Sequence, residues 1–248
     1  TELTRMWLTR STKPFLFKNE YDQELPFSDC DGLGLYVHIP FCRSICSFCP
    51  YCKTLYTEEA CSRYIDALIR EIHLAGSQAP GKKTVTSLYF GGGTPALAAD
   101  RIKEIIDAIQ DHFIITQGIG IELHPENVTP RTLHILKEAG ITKLSIGIQS
   151  FQEKFQKLLG RTGADMDSLK AALSQVPFET VSIDFIFALP SQTFGDLKAD
   201  VDNAFEAGAN HVALYPFIDF TFTDSALPSM GKKEKRRLQI GRASCRER

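Results

Sequence analysis

The sequence predicts an α/β protein in which helices cover a parallel β-sheet. Between residues 34 and 215, six short apolar runs alternate with polar or glycine-rich loops and amphipathic stretches. Several of the runs are almost continuously apolar, which is typical of strands that helices bury. Alternation of strands and helices indicates parallel strands, because each helix crosses back over the sheet. This pattern alone leaves open whether the sheet is doubly wound or part of a barrel.

The strand predictions follow the apolar runs in order. The first run, Gly34–Ile39, precedes a cysteine-rich loop, and the second, Val85–Phe90, ends in Gly-Gly-Gly-Thr-Pro. The fifth, Thr180–Leu189, is apolar almost throughout, as expected of a buried strand. The six predicted strands are Gly34–Ile39, Val85–Phe90, Gly120–Leu123, Lys143–Ile148, Thr180–Leu189 and His211–Tyr215.

The stretches between these strands have helical periodicity. In the first of them, Tyr64, Leu68 and Ile72 recur at intervals that place them on one helix face. Gly140 and Gly208 follow two of the stretches and predict where those helices end. The predicted helices are Glu58–Ala75, Asp100–His112, Pro130–Ala139, Gln152–Leu159, Asp167–Gln175 and Phe194–Ala207.

Length and composition fit one large domain or two small ones. The chain has 248 residues, 43% of them hydrophobic, which is enough for a sizeable core. Its net charge of −2 gives no indication of binding to nucleic acid or to an anionic membrane surface. We expect a cytoplasmic location, because no apolar run reaches the length of a membrane span and the start lacks a signal peptide's apolar region.

The predicted domain boundaries place the core domain at residues 33–220. Residues 1–32 show little periodicity and are predicted to form an N-terminal extension. Residues 221–239 are predicted to begin a C-terminal region that is truncated, and their basic run Lys232–Arg237 to start a solvated helix. Ile240–Arg248 resembles translated sequencing-adapter sequence, so we expect this tail, including Cys245, to be non-native.

The main chemical signal is a group of four cysteines within eleven residues, Cys42, Cys46, Cys49 and Cys52. Structural zinc usually takes two separated C-x2-C pairs, which this loop lacks. A redox pair would use Cys49 and Cys52 and leave the other two without a role. A secreted disulfide framework would be more evenly spaced. Spacing therefore favours an iron–sulfur cluster held by three thiolates, while the zinc and redox alternatives stay open.

The surrounding residues narrow this choice. The segment YVHIPFCRSICSFC resembles the signature of the radical S-adenosylmethionine (SAM) superfamily, whose C-x3-C-x-aromatic-C triplet binds a [4Fe–4S] cluster. By this resemblance Cys42, Cys46 and Cys49 are the ligands and Phe48 is the aromatic residue. Three thiolates leave one iron for SAM, whose reductive cleavage releases methionine and a 5′-deoxyadenosyl radical. The protein would position and shield the cofactors that perform this step.

Further motifs make the resemblance more specific. YVHIPFC, the glycine turn, GIQSF with an arginine twelve residues on, and IDFIFALP together resemble the oxygen-independent coproporphyrinogen III oxidase family. That family also contains haem chaperones and anaerobic haem-degrading methyltransferases. The resemblance covers residues 35–217 and implies a partial (β/α)6 TIM-like barrel of parallel strands with outer helices.

The resemblance assigns cofactor contacts to residues in, just after or between the predicted strands, and strand ends are where barrel enzymes build their sites. Tyr36, Glu122 and the glycine turn would bind SAM, and the turn's bare backbone N–H groups could donate hydrogen bonds to its carboxylate. Gln149, Arg161 and Asp184 match positions that contact a second SAM in the oxidase, and a second SAM here stays open. The implied cofactor-binding set is Tyr36, Phe48, Gly92, Gly93, Thr94, Glu122, Gln149, Arg161 and Asp184.

Other polar and aromatic residues receive structural predictions. His124 stands where the resemblance implies aspartate or asparagine, and no role is assigned to it. Cys52 is expected to be a partly buried free thiol. The residues expected to lie in the core are His38, Cys61, Tyr215 and Phe217.

Four functional hypotheses follow from the resemblance and the cysteine loop. The favoured one is oxidative decarboxylation of coproporphyrinogen III propionates to vinyl groups, started by hydrogen abstraction. The alternatives are a haem chaperone without decarboxylation, a SAM enzyme that methylates and opens haem, and a zinc-stabilised scaffold. The first three imply a tetrapyrrole partner, coproporphyrinogen or haem. The radical reaction also implies a reductase or flavodoxin-type electron donor.

Overall fold

The computed structural model describes residues 25, 27, 30–79, 81–161, 165–220, 223, 227, 228 and 230–244. Most of the predicted N-terminal extension and the last four residues of the predicted tail lie outside these described residues. Gly32, the final residue of that predicted extension, is already part of the first strand.

Parallel strands form the centre of the fold. In chain order the described strands are β1 (Gly32–Ile39), β2 (Phe41–Cys42), β3 (Thr54–Leu55), β4 (Lys83–Gly92), β5 (Phe113–Ile115), β6 (Ile119–Leu123), β7 (Ile141–Gln149), β8 (Thr180–Phe187) and β9 (His211–Pro216). Seven of them make one sheet in the order β1-β4-β6-β7-β8-β9, with β5 beside β4, and β2 pairs separately with β3. All of these pairings are parallel.

Helices connect successive strands of the main sheet. They are α1 (Glu58–Gly76), α2 (Ala99–His112), α3 (Pro130–Glu138), α4 (Glu153–Leu158), α5 (Met166–Gln175), α6 (Phe194–Glu206) and α7 (Lys232–Ser244). The six predicted strands and six predicted helices are confirmed with ends that differ by at most two residues, and α7 confirms the predicted helix at the basic run. Within the described ranges, no helix combines the length and the apolar character needed to cross a bilayer.

The strand order decides between a doubly wound sheet and part of a barrel. A doubly wound sheet reverses its strand order at a switch point. Here the main strands follow one another across the sheet in chain order, from β1 to β9. Right-handed crossovers that all advance in one direction place their helices on the same face, as in a TIM barrel. Since β1 and β9 do not pair with each other among the described residues, the barrel is partial, as predicted.

Buried aliphatic and aromatic side chains join the sheet to its helices. Ile39, Phe90 and Ile121, on three neighbouring strands, have no solvent exposure. Ile102 and Ile105 of α2 are likewise fully buried against this layer. Each such side chain contributes about 1.5–3 kcal/mol to folding. The resulting layer holds the carboxyl ends of the strands in fixed relative positions.

Side-chain caps fix where several helices begin. The hydroxyls of Thr57 and Thr129 accept hydrogen bonds from backbone N–H groups in the first turns of α1 and α3. Thr193 and Asp196 form a capping box at the start of α6. Such caps contribute about 1 kcal/mol each. They lie between strand ends and helix starts, and therefore shape the loops on the site face of the sheet.

The β2–β3 pair closes the base of the cysteine loop and was not predicted. Thr54 N–H donates to Pro40 O at 2.8 Å, and Tyr56 N–H donates to Cys42 O at 2.9 Å. Two-residue strands are too short to show a periodicity in sequence. Because of this pairing, the intervening loop starts and ends at the carboxyl end of β1.

Candidate functional site

A cavity of about 710 Å³ lies at the carboxyl ends of the parallel strands. Its volume is within the range of about 300–1,000 Å³ that is usual for sites of small molecules. All twelve residues that the resemblance assigns to cofactors line it. They are Tyr36, Cys42, Cys46, Phe48, Cys49, Gly92, Gly93, Thr94, Glu122, Gln149, Arg161 and Asp184.

The cysteine loop is held against the glycine turn. The Thr94 hydroxyl contacts the sulfur of Cys42 at 3.8 Å, so this thiol faces the turn. Cys49 N–H donates to Cys46 O at 3.3 Å, which folds the second half of the triplet into a tight turn. Lys53 Nζ donates to Cys49 O at 2.5 Å. The three thiols thus share one short, internally bonded loop at the cavity wall.

The chemistry of these thiols fits a bound iron–sulfur cluster. Burial raises the pKa of the Cys42 thiol, and negative charge on Cys46 and Cys49 raises it further. Cysteine binds iron as the thiolate, so a bound cluster would favour the deprotonated form of Cys42. Among the described residues, no three His, Cys, Asp or Glu side chains are grouped as ligands of one metal ion. A [4Fe–4S] cluster distributes its cysteines over separate irons, so the fit rests on donor type and position.

The glycine turn uses its backbone N–H groups within the protein. The amides of Gly92, Gly93 and Thr94 donate to Glu122 Oε2 at 3.2 Å, Ile39 O at 2.9 Å and Phe41 O at 2.8 Å. Each of these amides thus has an acceptor within the protein, and binding of a ligand carboxylate by the turn stays a prediction. What the turn offers a ligand is a surface without side chains beside the Thr94 hydroxyl.

The glycines themselves are required by close backbone approach. Gly92 has a φ of +124°, which side-chain-bearing residues rarely adopt. A Cβ on Gly93 would lie 2.6 Å from Phe41 O and would clash with the chain that leads into the cysteine loop. The turn and the loop are therefore packed backbone to backbone.

Two half-buried carboxyls, Glu122 and Asp184, form the acidic side of the cavity. The Asp184 carboxyl accepts hydrogen bonds from Ser145 at 2.5 Å and Ser182 at 3.1 Å. Burial raises the pKa of Asp184 and of Glu122, and the charge on Asp184 raises that of Glu122 further. Burial also raises the pKa of the neighbouring Tyr89 hydroxyl, so it remains a neutral donor. A cationic ligand group would favour ionisation of both carboxyls, which suits the ammonium or sulfonium of SAM.

Arg161 supplies positive charge elsewhere in the cavity. One of its terminal nitrogens donates to Gly147 O, and its guanidinium lies 5.9 Å from the centre of the Phe48 ring. Its Nε is buried and has no hydrogen-bond partner among the residues that the structure describes. A buried donor without a partner is uncommon in folded proteins.

A local distortion of β7 aims Gln149 into the cavity. The pairing of β7 with β8 shifts register between Gly147 and Gln149, and Gln149 has a φ of +71°. A Cβ on Gly147 would lie 2.8 Å from Gln149 Nε2, so only glycine leaves room for this amide. Register irregularities of this kind often redirect a side chain beside a site.

Some residues expected in the core lie at the cavity instead. His38 donates from Nε2 to Cys52 O at 3.2 Å and accepts the Tyr36 hydroxyl at Nδ1 at 3.1 Å. The core prediction for His38 is wrong because β1 alternates sides, which puts His38 on the same face as Tyr36. Tyr215 is 53% exposed at the end of β9, whereas Phe217 is buried as predicted.

The two remaining cysteine predictions have different outcomes. Cys52 is exposed and not partly buried, because it lies on the outer part of its loop. Cys61 is buried in α1, as predicted.

The sequence held signals for the two cavity residues that were wrongly expected in the core, His38 and Tyr215. The period of two along β1 indicated the position of His38, and the position of Tyr215 at the end of its strand indicated that of Tyr215.

A comparison with protein families decides the superfamily. The family model described as the radical SAM superfamily matches residues 36–204, which is more than half of the chain. The chain belongs to the radical SAM superfamily. Radical SAM proteins use a [4Fe–4S] cluster and SAM, which confirms both predicted cofactors at the level of the family. The superfamily therefore favours the cluster over the zinc and redox alternatives.

Among curated radical SAM relatives, the heme chaperone HemW of Lactococcus lactis is 33% identical over 189 residues. That match covers 74% of this chain and 48% of the relative. The anaerobilin synthase of Escherichia coli O157:H7 is 34% identical over 187 residues, covering 73% of this chain and 42% of the relative. The chain thus spans half or less of the length of these relatives.

Among solved radical SAM structures, the coproporphyrinogen III oxidase HemN of Escherichia coli superposes with a TM-score of 0.76 at 26% identity. The match covers 87% of this chain and 52% of that protein. This likeness confirms the predicted partial barrel of parallel strands with outer helices.

Proposed function

We propose that this chain is the cofactor-binding core of a radical SAM protein that acts on a tetrapyrrole. The observation that carries the proposal is the shared cavity, which is lined by the cysteine triplet together with Glu122, Arg161 and Asp184. The cysteine loop suits an iron–sulfur cluster. The carboxyls of Glu122 and Asp184 and the guanidinium of Arg161, in the same cavity, suit a ligand such as SAM that carries both positive and negative groups.

Cys42, Cys46 and Cys49 would hold the [4Fe–4S] cluster, with Phe48 beside them. When bound and reduced, the cluster supplies the electron that cleaves SAM to methionine and a 5′-deoxyadenosyl radical. The short Cys46–Cys49 turn and its bond from Lys53 restrain the backbone of the loop that would hold the cluster.

The chain's own residues would orient SAM. Glu122 and Asp184 would face its positive groups, and Tyr36 with Gly92, Gly93 and Thr94 would line the same space. Gln149 and Arg161 would bind either the other end of this SAM or a second SAM molecule. Burial of these polar groups strengthens their interactions with a charged ligand.

For the substrate we propose the propionate side chains of coproporphyrinogen III, which would lose carbon dioxide after hydrogen abstraction. The solved structure of HemN, named as a coproporphyrinogen III oxidase, supports this assignment. A reductase or flavodoxin-type protein would supply the electron. The second candidate is a haem chaperone, and the 33% identity to HemW favours it.

The first experiment tests the radical step. Anaerobic reconstitution should give about four irons and four sulfides per chain, and dithionite with SAM should then yield 5′-deoxyadenosine. Cys46→Ala should abolish this product because one cluster ligand is lost. Cys30→Ser, a cysteine outside the cavity, serves as the matched control and should retain it. Zinc binding without iron or product would contradict the proposal.

The second experiment separates the tetrapyrrole activities. Formation of protoporphyrinogen from coproporphyrinogen III would select the oxidase. Stable haem binding without turnover would select the chaperone, and haem loss with a methylated product would select the haem-degrading enzyme. The oxidase and the haem-degrading enzyme both depend on SAM, whereas stable haem binding does not, so this assay is read together with the first experiment.

A further inference from the structure

A chain of hydrogen bonds leads from the cavity to a histidine at the amino end of β9. Asp184, which lines the cavity, accepts the hydroxyl of Ser182 at Oδ1 at 3.1 Å. The oxygen of the same hydroxyl lies 3.0 Å from Nδ1 of His211. Ser182 and His211 are paired neighbours on β8 and β9, and neither of them lines the cavity. Of these three residues, a ligand in the cavity would therefore contact Asp184 alone.

The donors and acceptors of this chain follow from the chemistry of its side chains. A serine hydroxyl has one proton, and in Ser182 that proton is directed to the Asp184 carboxylate. The oxygen of Ser182 can therefore only accept from His211, whose Nδ1 must carry a proton. This bond is the same whether or not Nε2 of the ring is protonated. His211 thus donates toward the carboxylate in both states.

Asp184 is surrounded by groups that act on its charge in opposite directions. Burial raises its pKa, whereas hydrogen bonds from Ser145 and Ser182 and the positive charge of His211 lower it. The other titratable groups that face it from the packed strands are Tyr89 on β4, Glu122 on β6 and Tyr215 on β9. Negative charge on any of these three disfavours the carboxylate. Two hydroxyls and one histidine therefore favour it.

We propose that Ser182 and His211 are positioning residues, which hold Asp184 as an oriented carboxylate for a positive group of the ligand. The inference rests on the proposed function, in which Asp184 faces the ammonium or sulfonium of SAM. Ser145 donates to Oδ2 at 2.5 Å and Ser182 to Oδ1, so both oxygens of the carboxylate are held. Each oxygen keeps a further lone pair for the ligand. His211 occupies the acceptor side of Ser182 and keeps the serine proton directed at Asp184.

Substitutions along the chain separate its parts. Ser182→Ala removes the donor to Asp184, and His211→Leu removes the donor to Ser182. His211→Asn keeps an N–H near the position of Nδ1 but has no ring to protonate. A double variant, Ser182→Ala with His211→Leu, tests whether the histidine acts through the serine. His134→Leu is the matched control, because His134 is exposed on α3 and does not line the cavity.

The experiment measures the Kd of SAM by equilibrium dialysis across a pH series, on anaerobically reconstituted proteins that each hold about four irons per chain. Ser182→Ala should raise the Kd about 10-fold and His211→Leu about threefold. Both should also move the midpoint of the pH profile upward, because loss of these partners raises the pKa of Asp184. His211→Asn should recover most of the affinity that His211→Leu loses, since it retains a donor. His134→Leu should match the wild type.

The pH profile distinguishes positioning of Asp184 from a merely structural role. An unmoved midpoint in Ser182→Ala and His211→Leu would overturn the inference, because a structural loss lowers affinity without changing the charge of Asp184. A further loss from His211→Leu in the Ser182→Ala background would also overturn it, since the histidine would then act through space. Absence of 5′-deoxyadenosine from the wild type, with the expected binding pattern retained, would instead overturn the proposed function and leave the positioning role standing.

Discussion

Among single residues, Gly93 is the most tightly constrained in the site. We expect Gly93→Ala to lower the free energy of unfolding by about 1–3 kcal/mol, because its Cβ would lie 2.6 Å from a backbone oxygen and overpack the turn. Urea denaturation measures this change. Gly34→Ala, in β1, is the control, since nothing lies within 4 Å of its Cβ position. Equal stability of Gly93→Ala and wild type would contradict the packing argument.

Asp184 should make stability depend on pH. Its folded pKa is raised by burial above the ordinary value of 3.8. The folded state therefore binds more protons between these two pKa values, and wild-type stability falls as pH rises through this window. We expect Asp184→Asn to gain stability relative to wild type as pH rises above about 4, and the difference to level off beyond the raised pKa.

Urea denaturation of both proteins across a pH series tests this expectation. Asp202→Asn is the control, because Asp202 is an exposed carboxyl that pairs with Lys198 on α6. Parallel stability curves for wild type and Asp184→Asn would show that burial of Asp184 has no energetic consequence.

Among the elements, α6 anchors the turn that carries Gln149. Asp200 of α6 has no solvent exposure and accepts hydrogen bonds from Ser150 Oγ at 2.7 Å and Phe151 N–H at 2.8 Å. These bonds hold the residues that follow Gln149, whose φ of +71° costs about 1–2 kcal/mol. The helix therefore maintains a strained backbone at the cavity from the opposite side of the turn.

Replacement of Asp200 by alanine should lower the free energy of unfolding by about 2–4 kcal/mol, because two buried donors lose their acceptor. Asp200→Asn retains one acceptor and should lose less. Asp202→Ala, two residues along α6 and exposed, should change stability by less than about 0.5 kcal/mol. Chemical denaturation gives all three values. A loss for Asp202→Ala as large as that for Asp200→Ala would contradict a specific anchoring role.

Some secondary-structure elements could be predicted from the sequence and others could not. The main helices and strands follow from periodicity, which is local and was sufficient within two residues. The β2–β3 pair and the hydrogen bonds of the glycine turn depend on partners far along the chain, so no local pattern encodes them. Gly93 N–H, for example, reaches Ile39 O across 54 residues of sequence. This explains why the turn's position was predicted while the use of its amides was not.

In the molecule as a whole, the parallel arrangement of the strands brings motifs that are far apart in sequence to one site. Tyr36, Glu122 and Asp184 come from three different strands, yet all three line the same cavity. Since parallel strands share one carboxyl face, their convergence could be predicted from the strand pattern and the resemblance. His38 and Tyr215 were wrongly expected in the core, although the period of two along β1 and the strand-end position of Tyr215 indicated the cavity.

Because the cavity joins strands from across the sheet, ligand binding should stabilise the whole fold. A ligand that binds only the folded state at 100 times its Kd adds about 2.7 kcal/mol to the free energy of unfolding. We expect SAM to produce this gain in the reconstituted protein, measured by anaerobic urea denaturation. Methionine, which lacks the adenosyl group and the sulfonium, should stabilise less at the same concentration. Cys46→Ala should lose most of the gain, because without the cluster the cavity lacks one wall of the SAM site. An equal gain in that variant would show that SAM binds elsewhere.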